Sequence, residues 1–518
     1  MTRPRPAQGG GGLGLLAVLA VALALRLPYL TERSLWYDEA SSWQTAKFPL
    51  SELWQSVRLN VHMPLYYVLL KAWMTVWGES VAALRGFSIT FGLLTVSGMD
   101  RFARELYRVS ASGDDRESGG RQFGLMVAGL VAVAPFQVFG SIEARMYALG
   151  TALTAVSNWL LLLLLRERGP RGLWWAYGAS VVGLLYSHHY GLFSVIAQAV
   201  FFALYLVWLF SLGSLSEARA VAANGAAVAV IVAVVYLPGL VLLRGQTGRV
   251  QQEYWIPELR WRTFWGTFSE FLVPTHGFDF LFGGQLVCAV VLISCLIVAV
   301  RGRRGDNLVL ASAVLPLLLA AAVSTIQPIW IARYFRFAHL FLLTAVALAV
   351  WKLTRRSSVL RAVLVTLLFG VLVGANAVFW NYLDIPNGGG VRQAVATILA
   401  ERRDGEMIVT FSHHQYVPAK YYVSDRATLR LLDSGPLFWG SHLIRPADLI
   451  SPDRLQQALG RGVWVIGTDP VPGEQPVLAG AVLSRQHVFR YYQSLHRHLY
   501  VHRFVIPNRP SVQERPGQ

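Results

Sequence analysis

The chain has 518 residues, 54% of them apolar and only 14% charged, with a mean hydropathy of +0.44. Soluble domains carry about 25% charged residues, so this composition excludes an ordinary soluble protein and leaves a polytopic membrane protein of helix packed on helix. The formal net charge of +17 does not point to nucleic acid, because the basic residues fall largely in short loops between apolar runs, where membrane topology accounts for them.

Arg3 and Arg5 precede the first apolar run, Leu13 to Leu30. That run is about long enough to cross a 30 Å hydrocarbon layer. It reads as an uncleaved signal anchor, since Arg26 and Pro28 are not the small residues that cleavage requires. Just beyond it, Leu35-Trp36-Tyr37-Asp38-Glu39-Ala40 places two adjacent carboxylates among Trp36, Tyr37 and Trp43. Acids at a membrane boundary are costly unless solvated or partnered, so the pair Asp38 and Glu39 marks a site that handles protons or a cation. The segment then runs through an aromatic, amphipathic stretch with Trp54, Lys71, Trp73 and Trp77, which predicts helices lying in the interface plane. Within it stands Asn60-Val61-His62-Met63-Pro64-Leu65-Tyr66-Tyr67, whose His62 reads equally as a site residue and as a helix cap.

Further apolar runs fall at Val81 to Phe102, Phe123 to Phe139, Tyr147 to Leu165, Leu173 to Tyr186, Leu192 to Leu212 and Val221 to Leu243. The last lie at Leu286 to Val300, Leu308 to Ser324, Phe337 to Leu353 and Val359 to Trp380. The total is about eleven spans. With a cytoplasmic N-terminus, the loops holding Arg101, Arg104 and Arg108, then Arg166, Arg168 and Arg171, then Arg219, Arg301, Arg303 and Arg304, and finally Lys352, Arg355 and Arg356 all lie inside. The outer segments are then Thr31 to Ser80, Ser141 to Met146, Ser187 to Tyr190, Arg244 to Gln285, Thr325 to Phe335 and the tail after Asn381. Cys288 and Cys295 share one apolar span and read as packing residues.

The outer turns carry Glu143-Ala144-Arg145-Met146-Tyr147, Tyr186-Ser187-His188-His189-Tyr190-Gly191 and Trp330-Ile331-Ala332-Arg333-Tyr334-Phe335-Arg336. Arg145 has a structural reading, an ion pair with Glu143. Its functional reading is that a planar guanidinium at the boundary suits phosphate oxygens, and Arg333 supplies a second. The loop Arg244 to Gln285, with Tyr254, Trp255, Trp261, Trp265, His276 and Asp279, suits either a site lining or an interfacial belt.

Beyond Asn381 the composition shifts. Asn387-Gly388-Gly389-Gly390 breaks the chain, Val391 to Arg402 is helix-like, and Met407 to Phe411, Val463 to Gly467 and Tyr500 to Ile506 read as strands. The expected division is a membrane domain over 1–380, with 31–80 catalytic and 244–285 lining the site, and a small α/β domain over 381–518. The tail's histidines, His413, His414, His487, His496, His498 and His502, have no metal-ligand spacing and read as surface or stacking residues.

The motifs Trp36 to Ala40, His62 to Tyr67, Glu143 to Tyr147, Tyr186 to Gly191 and Arg333-Tyr334, in this order on one face, resemble the multispanning glycosyltransferases of the GT-C class that use polyprenyl-phosphate sugars. The likeness is nearer to the bacterial galacturonosyltransferase-like branch than to the protein O-mannosyltransferases of family 39. The resemblance implies inverting transfer of a hexose or pentose from a polyprenyl-phosphate sugar donor to an acceptor hydroxyl of a glycolipid, polysaccharide or protein. It implies Asp38 as the base, because the family places its catalytic aspartate there, and Glu39 as its support. Arg145 and Arg333 would hold the phosphate, with His62, Glu143, Tyr147, His188, His189 and Tyr334 as the other substrate-binding residues. No cofactor is demanded, although Asp38, Glu143 and a histidine are conceivable ligands for a divalent metal ion. The implied setting is a bacterial inner membrane, with the site and the C-terminal domain extracytoplasmic and membrane lipids around the helices. The competing classes are a lipid-linked sugar flippase or secondary transporter, which should show an internal repeat or broken spans, and a noncatalytic envelope scaffold.

Overall fold

A computed structural model describes residues 10–507, apart from 111–115, 168–169, 251–254, 275–280, 384–388, 436–439, 469–477 and 492–497. Tyr254, His276, Asp279 and His496 lie outside the described residues. The chain divides into two compact units, Met1–Leu30 with Ala46–Tyr382 and Thr31–Thr45 with Leu383–Gln518. The acid-pair segment thus groups with the C-terminal residues, a division different from the sequence boundary at 380/381.

The helices in chain order are α1 (Gly10–Ala24), α2 (Tyr37–Lys47), α3 (Leu50–Leu59), α4 (Leu65–Trp77), α5 (Val81–Ser110), α6 (Arg116–Val133), α7 (Pro135–Ser141), α8 (Tyr147–Glu167), α9 (Arg171–Ser187) and α10 (Gly191–Ser211). There follow α11 (Leu215–Val250), α12 (Trp261–Leu272), α13 (Leu281–Arg301), α14 (Asp306–Ser324), a 3-10 turn at Ala332–Phe335, α15 (Arg336–Leu353) and α16 (Ser358–Leu383). Among the described residues eight helices are long and apolar enough to cross a membrane, or nine if the bent pair α6–α7 is one span. The predicted spans at Leu13 to Leu30 and Leu173 to Tyr186 form α1 and α9, of 15 and 17 residues. The first outer segment is helical, as expected of its amphipathic pattern. The expected outer loop Arg244 to Gln285 is not one loop, because α11 continues to Val250, α12 occupies its middle and α13 begins at Leu281.

Helices of this unit approach closely where their contact residues are small. Gly98 of α5 lies against Ala155 of α8, and the hydroxyls of Thr95 and Thr151 meet at 3.1 Å between them. The 65° bend between α6 and α7 has a covalent cause. Pro135 offers no N–H and disfavours a helical residue before it, so carbonyls of the preceding turn lose their partners in an apolar setting. Long side chains replace them: Arg26 donates to Ala132 O at 3.0 Å and Asn376 to Val133 O at 2.7 Å. Past the bend, Arg336 donates to Phe136 O of α7. Gly140 leaves room for this arginine, since a Cβ there would overlap the Arg336 guanidinium. At the other ends of the helices, Asp306 accepts from Lys352 at 2.7 Å and Glu105 forms an ion pair with Arg166 at 2.8 Å.

The second unit contains α17 (Gly390–Glu401), α18 (His413–Tyr422), α19 (Pro452–Ala458) and six strands: β1 (Met407–Thr410), β2 (Leu429–Leu432), β3 (Leu449–Ile450), β4 (Val463–Gly467), β5 (Val482–Arg490) and β6 (His498–Val505). They form one sheet in the order β3-β2-β1-β4-β6-β5. The first four strands are parallel, and β6 and β5 continue antiparallel. Val409, Leu455, Leu459, Val463 and Val465 build its core, and their near-continuous apolar runs are what a strand covered on both faces requires.

Candidate active site

In the membrane unit the site is assembled where loops join the helices. The bend at Pro135 and the end of α7 deliver the turn Ile142 to Met146, in which Glu143, Ala144, Arg145 and Met146 are all buried. Arg145 Nη2 donates to His62 Nε2 at 2.6 Å, joining residues 83 apart in sequence. His62 lies in the turn between α3 and α4, and its ring nitrogen toward Arg145 is an acceptor, hence unprotonated. His188 Nδ1 accepts the Tyr190 N–H at 3.1 Å. Its ring packs against Tyr147 at 5.7 Å and Tyr334 at 5.0 Å. His189 Nε2 donates to Gln246 Oε1 at 2.8 Å, and the amide of Gln246 donates to Val57 O at 2.9 Å and His62 O at 3.2 Å. Gln246, on α11, therefore ties the turn between α3 and α4 to the turn between α9 and α10. Arg333 lies on the 3-10 turn with its guanidinium 5.7 Å from the Trp255 ring centre and 5.6 Å from that of Tyr334.

The histidines of this cluster are all shifted in one direction. Burial holds His62 well below the ordinary imidazole value, and Arg145, His188, His189 and Arg333 push in the same direction. His188 is lowered in the same way, by burial first, then by His189, Arg145 and Arg333. His189 is lowered by burial against its bond to Gln246. His62 and His188 thus stay neutral near the guanidiniums of Arg145 and Arg333, whose positive charge favours an anion. Glu143 stands 4.0 Å from the Arg336 guanidinium. Glu270, on α12, lines a small cavity with Glu143, Arg333 and Arg336. Burial pushes its carboxyl up to about 7, with Arg336 and Arg333 opposing.

A larger cavity of about 380 Å³ opens beside the cluster. Its lining combines the polar side chains of His62, His188, His189, Gln246 and Tyr334 with apolar Leu192, Phe193, Leu243, Val323 and Ile329 and the ring of Trp255. A mixed lining of this kind suits a ligand with an apolar part and a polar head.

Asp38 and Glu39 lie in the other unit. α2 opens at Tyr37, so both acids occupy its first turn, where a carboxylate is favoured by the helix dipole. Glu39 is fully buried, 3.4 Å from Arg33, and accepts the Trp36 N–H at 3.5 Å. Asp38 is partly exposed and interacts electrostatically with His414 and Tyr491. Among the described residues, no three His, Cys, Asp or Glu side chains form a group able to hold a metal ion. Asp38 and Glu143, expected as conceivable ligands, belong to different units.

No family model and no curated protein matches this chain. Solved structures do. ArnT from Cupriavidus metallidurans in the apo state superposes with a TM-score of 0.58 at 13% identity, over 95% of this chain and 98% of that one. ArnT from the same organism bound to undecaprenyl phosphate gives 0.57 at 14% identity, over 96% and 98%. The fold is that of the GT-C class. The expectation raised by the five motifs is met at the level of fold, in a multi-pass membrane protein with a small C-terminal sheet. Within this GT-C fold, His62, Arg145, Tyr147, His188, His189, Arg333 and Tyr334 gather in the membrane unit, with Glu143 on the adjoining small cavity. Three further residues enter that the motifs did not yield: Gln246, Glu270 and Arg336. Arg336 closes a motif already noted, and Glu270 is the acid of the amphipathic stretch Trp261 to Leu272. Gln246 sits in the polar end of a long apolar helix and carries no local signal.

Proposed function

We propose that this protein is an inverting glycosyltransferase that moves a sugar from a polyprenyl-phosphate donor to an acceptor hydroxyl on the extracytoplasmic face of a bacterial inner membrane. The observation that carries the reading is the cluster of Arg145 and Arg333 with neutral His62 and His188, the two histidines lining a largely apolar cavity. It supports a site for a lipid-borne anion, and the GT-C fold shared with an ArnT that binds undecaprenyl phosphate supports the same ligand class. The apolar wall takes the first part of the lipid chain, and the two guanidiniums face the phosphate.

In the transfer the acceptor oxygen bonds to the anomeric carbon as the bond from that carbon to the phosphate oxygen breaks. The acceptor proton passes to Asp38, the proposed base, and the new negative charge on the departing lipid phosphate is met by Arg145 and Arg333. His62, buried and neutral, gives Arg145 a directional acceptor and fixes its fork. Glu39, held by Arg33 and the Trp36 N–H, orients the turn that carries Asp38. Tyr147 and Tyr334 flank the sugar through their ring faces.

The test compares envelope glycolipids, glycans and glycoproteins by mass spectrometry in a deletion strain complemented with wild type or Asp38→Asn. A sugar-sized mass that returns with wild type alone, at equal membrane levels of both proteins, supports transfer and names the sugar class. Full restoration by the mutant removes Asp38 from the chemistry.

A further inference from the structure

The order of the parallel strands in the second unit, β3-β2-β1-β4, means that the chain winds outward from β1 through β2 to β3 and then crosses to the other side of β1. In doubly wound sheets the crevice at the carboxyl ends of the strands, where the winding reverses, is where ligands bind. Here that place falls at the end of β1, whose following turn Phe411-Ser412 opens α18 at His413. The turn has no glycine pattern for a phosphate. Instead Ser412 caps the helix, accepting the His414 N–H at 3.3 Å, and the rings of His413 and His414 stand 4.1 Å apart.

A side chain of the acid-pair segment covers these rings. Tyr37 lies 4.5 Å from the His414 ring and, edge-on, 5.3 Å from that of His413. The loop between β2 and β3 reaches the same ring: Gly440 has φ of 75°, and a Cβ there would stand 2.7 Å from Tyr37 Oη and 2.8 Å from His413 Cδ2. Only glycine serves at such a position, by conformation and by space. The segment is tied down on both sides of Tyr37. Leu35 N–H donates to Tyr422 Oη at 2.7 Å, Arg392 N–H to Ser34 Oγ at 3.3 Å, and Trp43 meets Tyr421 edge-on at 5.0 Å.

We propose that the C-terminal α/β unit is the holder of the acid pair: Tyr37, seated against His413, His414 and Gly440 where a sheet of this topology would take a ligand, positions Asp38. Tyr37 is a positioning residue, next in the chain to the residue it places. The inference rests on the reading of Asp38 as the base for its catalytic consequence, but the holding contact stands or falls by itself.

Hydrogen exchange read by mass spectrometry on the full chain in detergent separates the two. In Tyr37→Ala, amides of 31–45 exchange about tenfold faster or more, while those of β1 and β4 keep their protection. Gly440→Val gives the same loosening by pushing the ring out, and Tyr37→Phe retains the protection. In transfer assays Tyr37→Ala lowers kcat about tenfold or more with the donor KM unchanged, as misplacement of a base should, and Tyr37→Phe recovers the rate. Unchanged exchange of 31–45 in Tyr37→Ala overturns the proposal. Loosening with an unaltered kcat leaves the holder in place and overturns Asp38 as the base.

Discussion

The two units bury charge in opposite ways. In the membrane unit, Arg145, Arg333 and Arg336 gather at one end of the helices, their histidine neighbours are driven neutral, and Glu270 is pushed toward its protonated form. In the C-terminal unit the buried Glu406 and the half-buried Asp448 each have a local cation. Glu406 accepts from Arg503 and from Trp464 Nε1, the latter at 2.7 Å, and Asp448 accepts from Lys420 at 2.9 Å. Against the cost of burial, Arg503, the Arg403 N–H and Trp464 hold the Glu406 carboxyl below the ordinary range, and the Arg445 N–H, Lys420 and Tyr416 do the same for Asp448. In the membrane unit the guanidiniums share their surroundings with neutral imidazoles and with Glu143 and Glu270, a gathering of perturbed groups of the kind that marks a functional site.

This contrast is open to direct attack. The largest effect is expected from Asp38→Asn, which should cut transfer by about 10²–10⁴-fold without altering insertion, as loss of a general base does; a rate within a factor of a few of wild type would break the assignment. Next is Arg503→Met. It strands the buried Glu406 carboxylate, and thermal or denaturant unfolding should show the C-terminal unit weakened by about 3–5 kcal/mol, with the membrane helices unchanged by circular dichroism.

Arg145→Gln is expected to cost about 2.7–4 kcal/mol in the barrier to transfer, the value of a donor aimed at developing negative charge. It should also let the His62 imidazole titrate closer to its ordinary value, which NMR of labelled histidine detects; an unmoved His62 would mean the guanidinium does not set its charge state. Donor binding, followed with the polyprenyl phosphate alone, should weaken in the same variant.

The smallest effect sharpens the comparison by its sign. Glu270 has a pKa raised in the fold from 4.5 to about 7, so the folded state holds the extra proton in that window and stability falls as pH rises through it. Glu406 is lowered in the fold, so its contribution is present above the unfolded value and is lost as pH falls. Glu270→Gln should therefore flatten the slope between pH 4.5 and 7 by on the order of 1 kcal/mol per pH unit. Glu406→Gln should flatten the acid limb instead. Melting temperature against pH for the two variants distinguishes them, and slopes of the same sign would refute the contrast.

Much of this was legible in the chain because membrane helices announce themselves. A run of apolar residues long enough for hydrocarbon has few alternatives, and the basic loops between runs were readable by charge alone. The outer motifs were visible because Glu143-Ala144-Arg145 or His188-His189 is conspicuous between such runs. The C-terminal unit was readable only in part. Met407 to Thr410 and Val463 to Gly467 are short apolar bursts, but β3 is two residues long and β5 is an exposed strand with the mixed sequence Val482 to Arg490, so neither presents a buried periodicity.

Composition and hydropathy by themselves determined that this is a multi-pass helical protein with an α/β tail, because the cost of placing charge or unpaired backbone in hydrocarbon is large and local. They also brought the acids, histidines and arginines to notice as separate motifs. Which of them meet was decided by tertiary structure alone. The pairing of Arg145 with His62, the bracing of both outer turns by Gln246, the carbonyls at Pro135 capped by Arg26 and Asn376, and the seating of Tyr37 against His413 and Gly440 all join residues far apart in the chain. Contacts of that kind depend on how helices and strands pack in three dimensions, and no periodicity along the sequence records them.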